Sequence, residues 1–536
     1  MKKLHLTLAL LFIIFSSTAF AIDFEWARYY NGGGADRGLH ASTDNSGNAY
    51  LAGVSDLLGG SKLVLSSYTP AGVLIRRDVG NTFLSNADVK QIERDKQHNT
   101  YVLCQNAASS FTLIKYDHQA QEKWRNNYAN YVVGFEIGDK GIYVNYLTPA
   151  GATIRQLKKN NGSTHWTTSI ADPIVNTNTF LSDFTIDEND NTYFGGTTES
   201  GITADDYRLL KVNKNGSIIY NIQYSSPGSD DDEVFKIKAN NAGELFVVGD
   251  YDNSILSRTY LHMVKFNAAG TFQWATFYRH SGPNNVFFPN NIEIGPDGNP
   301  VTMGTDNDFY NINPAGEVRR ILVSKFNAVT GAIIYNVFPN DPDNDETGMR
   351  ETGVSMTVDH NNNVFFGGQS NIYAGVGVDP NRWMIAKINT AGLLQWVDAS
   401  TGFNDPSNQV NDITVTNDDF VYMAVAENFG ASVDMGLIKY CQTGCFIRKA
   451  APELLTTNTI SVYPNPSSGE FRLQTSSTFE EHTQLSVFDI NGKLIESISV
   501  TANDFQFGMN YAPGIYFVRL LQSGESKMIK IVKSGR

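Results

Sequence analysis

The stretch Thr357–Trp396 reads TVDHNNNVFFGG, a variable insert, and then WMIAKINTAGLLQW, and its pattern recurs along the chain. A polar turn leads into a short apolar strand that ends in Gly, and an apolar-x-Lys strand follows the insert. A Gly comes five residues after the Lys, and a Trp or Tyr follows four residues later. Short β-forming runs separated by Asn, Asp and Gly turns predict antiparallel strands joined by hairpins.

The Lys and the aromatic residue recur about every fifty residues, which is the period of β-propeller blades. The Lys position is held by Lys115, Lys158, Lys211, Lys265, Lys325, Lys387 and Lys439, with Ser67 in the first unit. The aromatic position is held by Trp124, Trp166, Tyr220, Trp274, Tyr335 and Trp396, with Arg76 in the first unit. Eight units predict an all-β propeller of eight blades, with seven as the alternative, in which the aromatic residues pack between blades.

The last unit predicts how the propeller closes. Lys439 is present, but no aromatic residue follows it at the expected place. The N-terminal segment Phe24–Tyr30 resembles the fourth strand of another unit, Phe272–Tyr278. We therefore expect the N-terminal strand to complete the last blade and so to remove an exposed sheet edge.

The first residues predict a secretory signal peptide. Lys2 and Lys3 precede an apolar run from Leu4 to Phe15, and Ala19-Phe20-Ala21 fits an A-x-A cleavage site. No later run is long and apolar enough to cross a membrane. The expected organisation is a signal peptide at 1–21, the propeller at 22–440, a linker at 441–459 and a small immunoglobulin-like β-sandwich at 460–536.

Charge and cysteine content narrow the class of protein. The formal net charge of −14 argues against a nucleic-acid partner, because binding to phosphates needs a basic surface. Cys441 and Cys445 could form a disulfide or remain two free thiols, since geometry rather than spacing decides. Cys104 is expected to be a buried free thiol.

The sequence contains none of the common catalytic, metal-binding or nucleotide-binding motifs, so no catalytic residue, cofactor or metal site is predicted. One weaker pattern is an acidic or amide residue at or just before most predicted innermost strands, namely Asp36, Asp88, Asp183, Asp232, Asn290, Glu351 and Asp412. These groups could form a ring that binds a cation, a sugar or a basic peptide loop at the channel mouth. We favour the simpler interpretation that they accept hydrogen bonds from loop backbone.

The C-terminal segment carries a distinct set of motifs in short alternating strands. Its marked residues are Tyr463, Pro464, Asn465, Pro466, Gly469, Asp489, Gly492, Lys493, Gly514, Tyr516 and Lys530. In this order they resemble the type A C-terminal sorting domain of the type IX secretion system, found in Bacteroidota. The resemblance implies that the secretion machinery is a partner, and that the protein is exported through the periplasm and then released or attached to surface lipopolysaccharide.

The propeller units resemble the divergent propeller repeats of exported bacterial proteins, a likeness that implies a fold and not a reaction. We therefore expect a secreted or cell-surface module that binds a glycan or a protein. The alternatives are a hydrolase or lyase with its site at the channel mouth, and a structural component of the envelope or biofilm. Specificity is expected in the variable inserts Ser200–Tyr207, Asp250–Tyr260, Asp306–Arg320 and Gln369–Arg382.

The sorting resemblance predicts that Ile460–Arg536 is sufficient to direct export. Fused to a periplasmic reporter in a host that has the type IX system, this segment should carry the reporter outside the cell. Fractionation and immunoblotting would measure the distribution. The control is the same fusion without the last strand motif around Lys530, and retention of the intact fusion in the periplasm would contradict the prediction.

Overall fold

All regular structure in the described part of the chain is β-strand, and 39 strands are formed. The computed structural model describes residues 23–57, 60–83, 88–107, 110–148, 151–171, 180–198, 206–226, 231–253, 258–279, 285–313, 316–339, 350–371, 381–399, 409–416, 420–428, 433–441, 460–475, 484–489, 493–499, 504–522 and 525–535. The predicted signal peptide at 1–21 and nearly all of the linker predicted at 441–459 lie outside these residues.

Thirty-two strands form eight four-stranded antiparallel blades within the described ranges. Blades one to four are β2 (Ala35–Thr43), β3 (Ala49–Leu57), β4 (Gly60–Tyr68), β5 (Leu74–Phe83); β6 (Asp88–Arg94), β7 (Thr100–Ala107), β8 (Ser110–Tyr116), β9 (Glu122–Tyr128); β10 (Val132–Ile137), β11 (Ile142–Thr148), β12 (Gly151–Leu157), β13 (Thr164–Ala171); and β14 (Phe180–Ile186), β15 (Thr192–Thr198), β16 (Asp206–Val212), β17 (Ile218–Tyr224).

Blades five to eight follow the same plan. They are β18 (Asp231–Ala239), β19 (Leu245–Asn253), β20 (Arg258–Phe266), β21 (Phe272–Tyr278); β22 (Asn285–Ile294), β23 (Pro300–Asn313), β24 (Gly316–Phe326), β25 (Ile333–Val337); β26 (Arg350–Val358), β27 (Val364–Asn371), β28 (Asn381–Ile388), β29 (Leu394–Ala399); and β30 (Gln409–Val415), β31 (Phe420–Asn428), β32 (Val433–Cys441) with β1 (Asp23–Tyr30). The all-β propeller is thereby confirmed, with eight blades.

The eighth blade takes its fourth strand from the N-terminal end of the described chain. Strand β1 runs antiparallel to β32, and Trp26 lies opposite Lys439. Trp26 therefore occupies the aromatic position that is missing from the last unit.

In the first, second, fourth and seventh blades the polar turn folds around its first residue, an Asp. In the second blade the Asp95 carboxylate accepts hydrogen bonds from the backbone N–H groups of Gln97 and Asn99, from the Asn99 amide and from the Tyr101 hydroxyl. The fourth residue of this turn, His98, has a φ of 63°. The D-x-x-x-N-x-Y pattern is thus a self-contained hairpin turn, because the Asp side chain satisfies the backbone groups that the tight reversal leaves unpaired.

The Lys, Gly and aromatic residues of the repeat form one contact between neighbouring blades, which we call the blade clamp. In the second blade Lys115 Nζ and Trp124 Nε1 both donate to the Lys159 carbonyl of the third blade, at 2.8 and 3.1 Å. The Trp124 ring covers Gly162 so closely that a Cβ there would lie 2.7 Å from it. Gly162 also has a φ of 69°. Glycine is therefore needed for both the turn and the approach of the ring.

The same clamp recurs around the propeller. Lys265 and Trp274 both donate to the Ala328 carbonyl, and Lys439 and Trp26 both donate to the Pro70 carbonyl. The last of these crosses the point of closure, so β1 is bound to the first blade as well as to the eighth.

Other units depart from this arrangement, and one departure corrects the predicted alignment. In the third blade Gln156, not Lys158, lies opposite Trp166. The prediction of Lys158 was wrong because this turn is longer by one residue. In the first blade Arg76 replaces the aromatic residue, and Ala120 stands at the Gly position of the second blade with a φ of 55°. The methyl group of Ala120 fits there because the preceding blade has Arg76, and so no aromatic ring covers this turn.

The cores lie between blades. One cluster joins Tyr101, Leu113 and Trp124 of the second blade to Phe135 and Val144 of the third. Middle strands such as β15 are buried along their whole length. Each blade thus buries both faces against its neighbours, which a single four-stranded sheet cannot do alone.

The C-terminal domain is a small sandwich of two sheets. Its strands are β33 (Ile460–Tyr463), β34 (Phe471–Thr475), β35 (Gln484–Asp489), β36 (Leu494–Ser499), β37 (Asp504–Phe507), β38 (Gly514–Gln522) and β39 (Glu525–Lys533). The sheet β33-β34-β37 packs on the sheet containing β39, β38, β35 and β36. Phe471, Val487, Val518 and Ile531 are among the residues of the core between them.

The blade clamp predicts different outcomes for two exchanges between Gly and Ala. Gly162→Ala should lower the free energy of unfolding by about 2–4 kcal/mol, from left-handed strain and from the clash with Trp124. Ala120→Gly, at the matching position without a ring, should change it by no more than about 1 kcal/mol. Urea unfolding followed by tryptophan fluorescence would compare them, and equal losses would refute the clamp.

Candidate functional site

The first strand of every blade carries a β-bulge at the same place, and these strands contact one another around the central channel. In β2, for example, Gly38 pairs with Gly53 and His40 with Ala52, so Leu39 is the extra residue. The residues directly after the eight bulges are His40, Gln91, Gly134, Asp183, Lys236, Asn291, Ser355 and Asp412. We call these the post-bulge positions.

Several post-bulge side chains connect an inner strand to the next one. Asp412 accepts the backbone N–H of Ala41 at 3.0 Å, and Asp183 accepts that of Ile237 at 2.9 Å. Gln91 accepts the N–H of Phe135 at 3.1 Å. In each case the donor directly follows the post-bulge residue of the next blade. An inner strand has no neighbouring strand on its channel side, so a side chain accepts the hydrogen bond of a backbone N–H group that would otherwise be unpaired.

Pairs of ionisable side chains also join neighbouring blades along the channel. His40 Nδ1 lies 2.9 Å from Asp412 Oδ2, and Lys236 Nζ lies 3.3 Å from Asp183 Oδ1. The Lys238 ammonium donates to Glu293 at 3.0 Å. These side chains are between about one-fifth and two-fifths exposed, as expected for groups that face a water-filled channel.

Two glutamates lie two residues beyond post-bulge positions, where the channel is enclosed by protein. Burial raises the pKa of Glu93 to about 7, against the opposing effect of the hydrogen bond from Gln91. Burial, and then the charge of Glu93, raises the pKa of Glu136 well above its usual range. Burial alone would lower the pKa of Lys238. The negative charges of Glu293 and other nearby carboxylates have the larger effect, so the pKa is raised.

A cavity of about 540 Å³ opens where blades eight, one and two meet. Its lining includes Leu39, His40, Gln91, Glu93, Arg94 and Asp412. Carboxylate and amide oxygens can accept hydrogen bonds there, the guanidinium can donate them, and the aliphatic side chains provide apolar contact. This combination suits a small polar ligand with both donors and acceptors.

The five predicted residues whose side chains the structure describes do not form one ring. Asp183 and Asp412 lie on the channel wall, and the Asn290 amide donates to the Gly353 carbonyl of the next blade. Asp36 and Asp232 are fully buried and accept backbone N–H groups at 2.5 and 2.8 Å, respectively. The side chains of Asp88 and Glu351 lie outside what the structure describes.

Glu93, Glu136, Lys238 and Glu293 were missed from the sequence. Each lies two residues after a post-bulge position, but no residue type in the sequence marks where the bulge occurs. The repeat alignment alone therefore could not show which side chains point into the channel.

A Ser, a His and an Asp meet between blades four and five. Ser226 Oγ lies 3.5 Å from both ring nitrogens of His262, while Asp232 Oδ1 is 3.9 Å from Nδ1. The Tyr207 hydroxyl is nearer to Nδ1, at 3.0 Å. All four side chains are buried, and burial lowers the pKa of His262 to about 3. The serine is equally far from both ring nitrogens and Asp232 lies 3.9 Å from Nδ1, so the group lacks the geometry of a catalytic triad.

The described residues hold no cluster of three or more His, Cys, Asp or Glu side chains placed to bind a metal. In the same residues no helix has the length and apolar composition needed to cross a membrane. Cys104 is buried and lies outside any disulfide, and Cys441 is disulfide-bonded. Cys445, one possible partner by sequence, lies outside the described ranges.

The C-terminal motif residues hold the last strand in place. The Asn465 side chain donates to the Lys530 carbonyl and accepts the Val532 N–H, each at 2.8 Å. It therefore imitates a neighbouring strand, between two cis prolines, Pro464 and Pro466. The buried Lys533 ammonium donates to the carbonyls of Gly469, Gly508 and Met509.

Three further motif residues have a local role. Asp489 accepts the Lys493 N–H at 2.9 Å across the hairpin, and the Tyr516 hydroxyl donates to the Ala512 carbonyl at 2.8 Å. The exposed residue Tyr463 ends β33 and the exposed Gly514 begins β38, and Gly492 lies outside the described ranges.

Residues 461–534 match the family model described as "Secretion system C-terminal sorting domain". The predicted type IX sorting domain is thereby confirmed. It indicates export to a secreted or cell-surface location and an interaction with the secretion machinery. No curated protein sequence matches the chain.

Several solved structures are similar to the propeller. The Dos1 propeller is 8% identical, covers 80% of this chain and 96% of its own, and has a TM-score of 0.49. A polysaccharide lyase of family PL25, an ulvan lyase bound to an oligosaccharide, is 12% identical, covers 77% and 96%, and has a TM-score of 0.37. A protein of unknown function from Bacteroides caccae is 14% identical, covers 56% and 94%, and has a TM-score of 0.31. Identities this low bear on the fold alone.

The channel contacts predict unequal effects of two substitutions at Asp412. Asp412→Ala leaves the Ala41 N–H and His40 without their acceptor and should cost about 1–3 kcal/mol of unfolding free energy. Asp412→Asn keeps one acceptor oxygen and should cost less. Asp139→Ala removes an exposed carboxylate and serves as the control. Chemical denaturation would rank the three, and an Asp412→Ala variant as stable as the control would contradict the bridging role.

Proposed function

We propose that this exported propeller, which carries a type IX sorting domain, is a glycan-binding module whose ligand enters the central channel. The observation that supports this most directly is the cavity of about 540 Å³ between blades eight, one and two. Its volume lies within the range of small-molecule sites, about 300–1,000 Å³. The secreted or surface location would bring such a site into contact with extracellular sugars. The predicted signal peptide at 1–21 fits this route.

The lining favours a hydroxyl-bearing ligand. Glu93 and Asp412 supply carboxylate oxygens for sugar hydroxyl groups, and Arg94 supplies donors for ring and hydroxyl oxygens. Leu39 and Ile92 offer apolar surface for the C–H faces of a sugar ring. Inter-blade hydrogen bonds and charged pairs already hold Gln91, His40 and Asp412, so little ordering would be needed on binding.

A second candidate is a hydrolase or lyase that uses the same channel. The specific observation in its favour is Glu93, whose pKa of about 7 suits general acid or base chemistry near neutral pH. Glu136, with its pKa also raised, would be the second carboxyl group. Binding remains the first proposal, because the Ser–His–Asp group is misaligned.

The ionisation of Glu93 provides the test. If its carboxylate accepts ligand hydroxyl groups, binding should weaken as the pH falls from 8 to 6, through the pKa of about 7. Glu93→Gln should lower affinity about tenfold and remove this pH dependence, whereas Glu188→Gln, at an exposed turn, should alter neither. A glycan array would find the ligand, and calorimetry across this pH range would measure binding.

If the protein is instead a hydrolase or lyase, the same wild-type and variant proteins should give a different result. A panel of polysaccharides would then show turnover, and Glu93→Gln would abolish it while leaving binding largely intact. Binding to a protein but to no glycan would overturn the assignment of the ligand class.

A further inference from the structure

The sorting domain extends the sheet of the eighth blade. Strand β39 runs antiparallel to β1, with Arg28 opposite Lys527, Tyr29 opposite Ser526 and Tyr30 opposite Glu525. The strand order becomes β30-β31-β32-β1-β39-β38-β35-β36. In the blades ending with β9, β13, β17 and β21, by contrast, the outermost described strand ends its sheet.

An ion pair between the two domains lies beside this junction. Arg519 of β38 lies 3.1 Å from Asp434 of β32, with side-chain exposures of 9% and 0%. Within the blade, Asp434 stands directly opposite Glu427 of β31. Two carboxylates facing each other across a sheet repel, so the guanidinium offsets an unfavourable feature of the blade.

The environment of Glu427 agrees with this arrangement. Tyr29 of β1 donates its hydroxyl to Glu427. Burial raises the pKa of Glu427 to about 7, the Tyr29 bond and the Arg519 charge oppose that rise, and the Asp434 charge adds to it. The ring-closing strand, the acidic pair and the sorting domain therefore meet at one place.

Two different segments of the chain bond to the outer edge of β39. Its first residues, Glu525–Lys527, pair with β1, and its last residues bond to Asn465 and Ser467 of the sorting motif. Together they cover an edge that would otherwise be open to pairing with other chains.

We infer that the eighth blade is a docking site for the sorting domain of the same chain, which latches the strand that closes the propeller. In the docked state β1 is paired on both edges, with β32 on one side and β39 on the other. Undocking or removal of the sorting domain would open the outer edge of β1 and leave Asp434 and Glu427 without the guanidinium charge. Loss of the sorting domain would thus leave the propeller with an open strand edge.

The latch is testable in the full chain by hydrogen exchange measured with mass spectrometry. Arg519→Met removes the charge but keeps most of the aliphatic stem, and Asp434→Asn removes its partner. Each should accelerate exchange in Arg28–Tyr30 and Glu525–Lys527 by about tenfold or more. The double variant should add little, because both changes break one pair.

The matched control is Arg472→Met, which removes an arginine from an exposed pair in the sorting domain. It should leave exchange at the junction unchanged. Slow exchange in β35 and β38 would show that the domain stays folded in every variant. Junction protection that is unchanged in Arg519→Met and Asp434→Asn, or lost equally in the control, would overturn the proposal.

A second measurement addresses the effect on closure. Small-angle scattering of Arg519→Met should show a larger radius of gyration than that of the wild-type chain, as the domain moves away from the blade. Exchange in β1 should also rise at residues that pair only with β32, such as Ala27. A rise confined to Arg28–Tyr30 would mean that docking occurs without latching the strand.

Discussion

At three of the described contacts between blades, one backbone carbonyl accepts hydrogen bonds from both a lysine and a tryptophan of the preceding blade. At the Lys159 carbonyl the two donors are Lys115 and Trp124. The Trp can reach it only by lying flat on the turn, and so the turn residue is Gly162. The Lys, Trp and Gly positions of the repeat, although separated in sequence, therefore take part in a single contact. The Lys and Trp side chains pack against the outer part of the blades and hold the inner strands at a regular spacing.

That spacing determines the channel. The inner strands have no neighbour beyond them, and the post-bulge side chains fill this need by bonding to the next blade. Asp183 and Asp412 each do so while also pairing with a cationic or imidazole group. A polar wall built in this way is rigid before any ligand arrives. Rigid, partly desolvated carboxyl groups such as Glu93 are suited to recognition, because their orientation and pKa are already set.

Closure and export meet in the eighth blade. Strand β1 brings Trp26 to the clamp at the Pro70 carbonyl and presents its other edge to the sorting domain. In the part of the chain that the structure describes, Trp396 of the seventh blade lacks one hydrogen bond of the clamp, because the eighth blade is assembled from two separate segments of the chain. Within the described residues its Nε1 has no hydrogen-bond partner, because the eighth blade has no hairpin between β32 and β1 to offer a carbonyl.

The sequence by itself determined the all-β propeller, the period of its blades, the scaffold role of the aromatic residues and the sorting domain, because each is written in residues close together along the chain. Hairpin turns, blade spacing and a linear motif are local properties. It placed Lys158 where the structure has Gln156, since a turn longer by one residue shifts the strand register. Only the tertiary structure decided which acidic residues face the channel, that Ser226, His262 and Asp232 meet without forming a triad, and that Arg519 reaches Asp434. These depend on bulges and on contacts between distant segments, and neither leaves a periodic trace in the sequence.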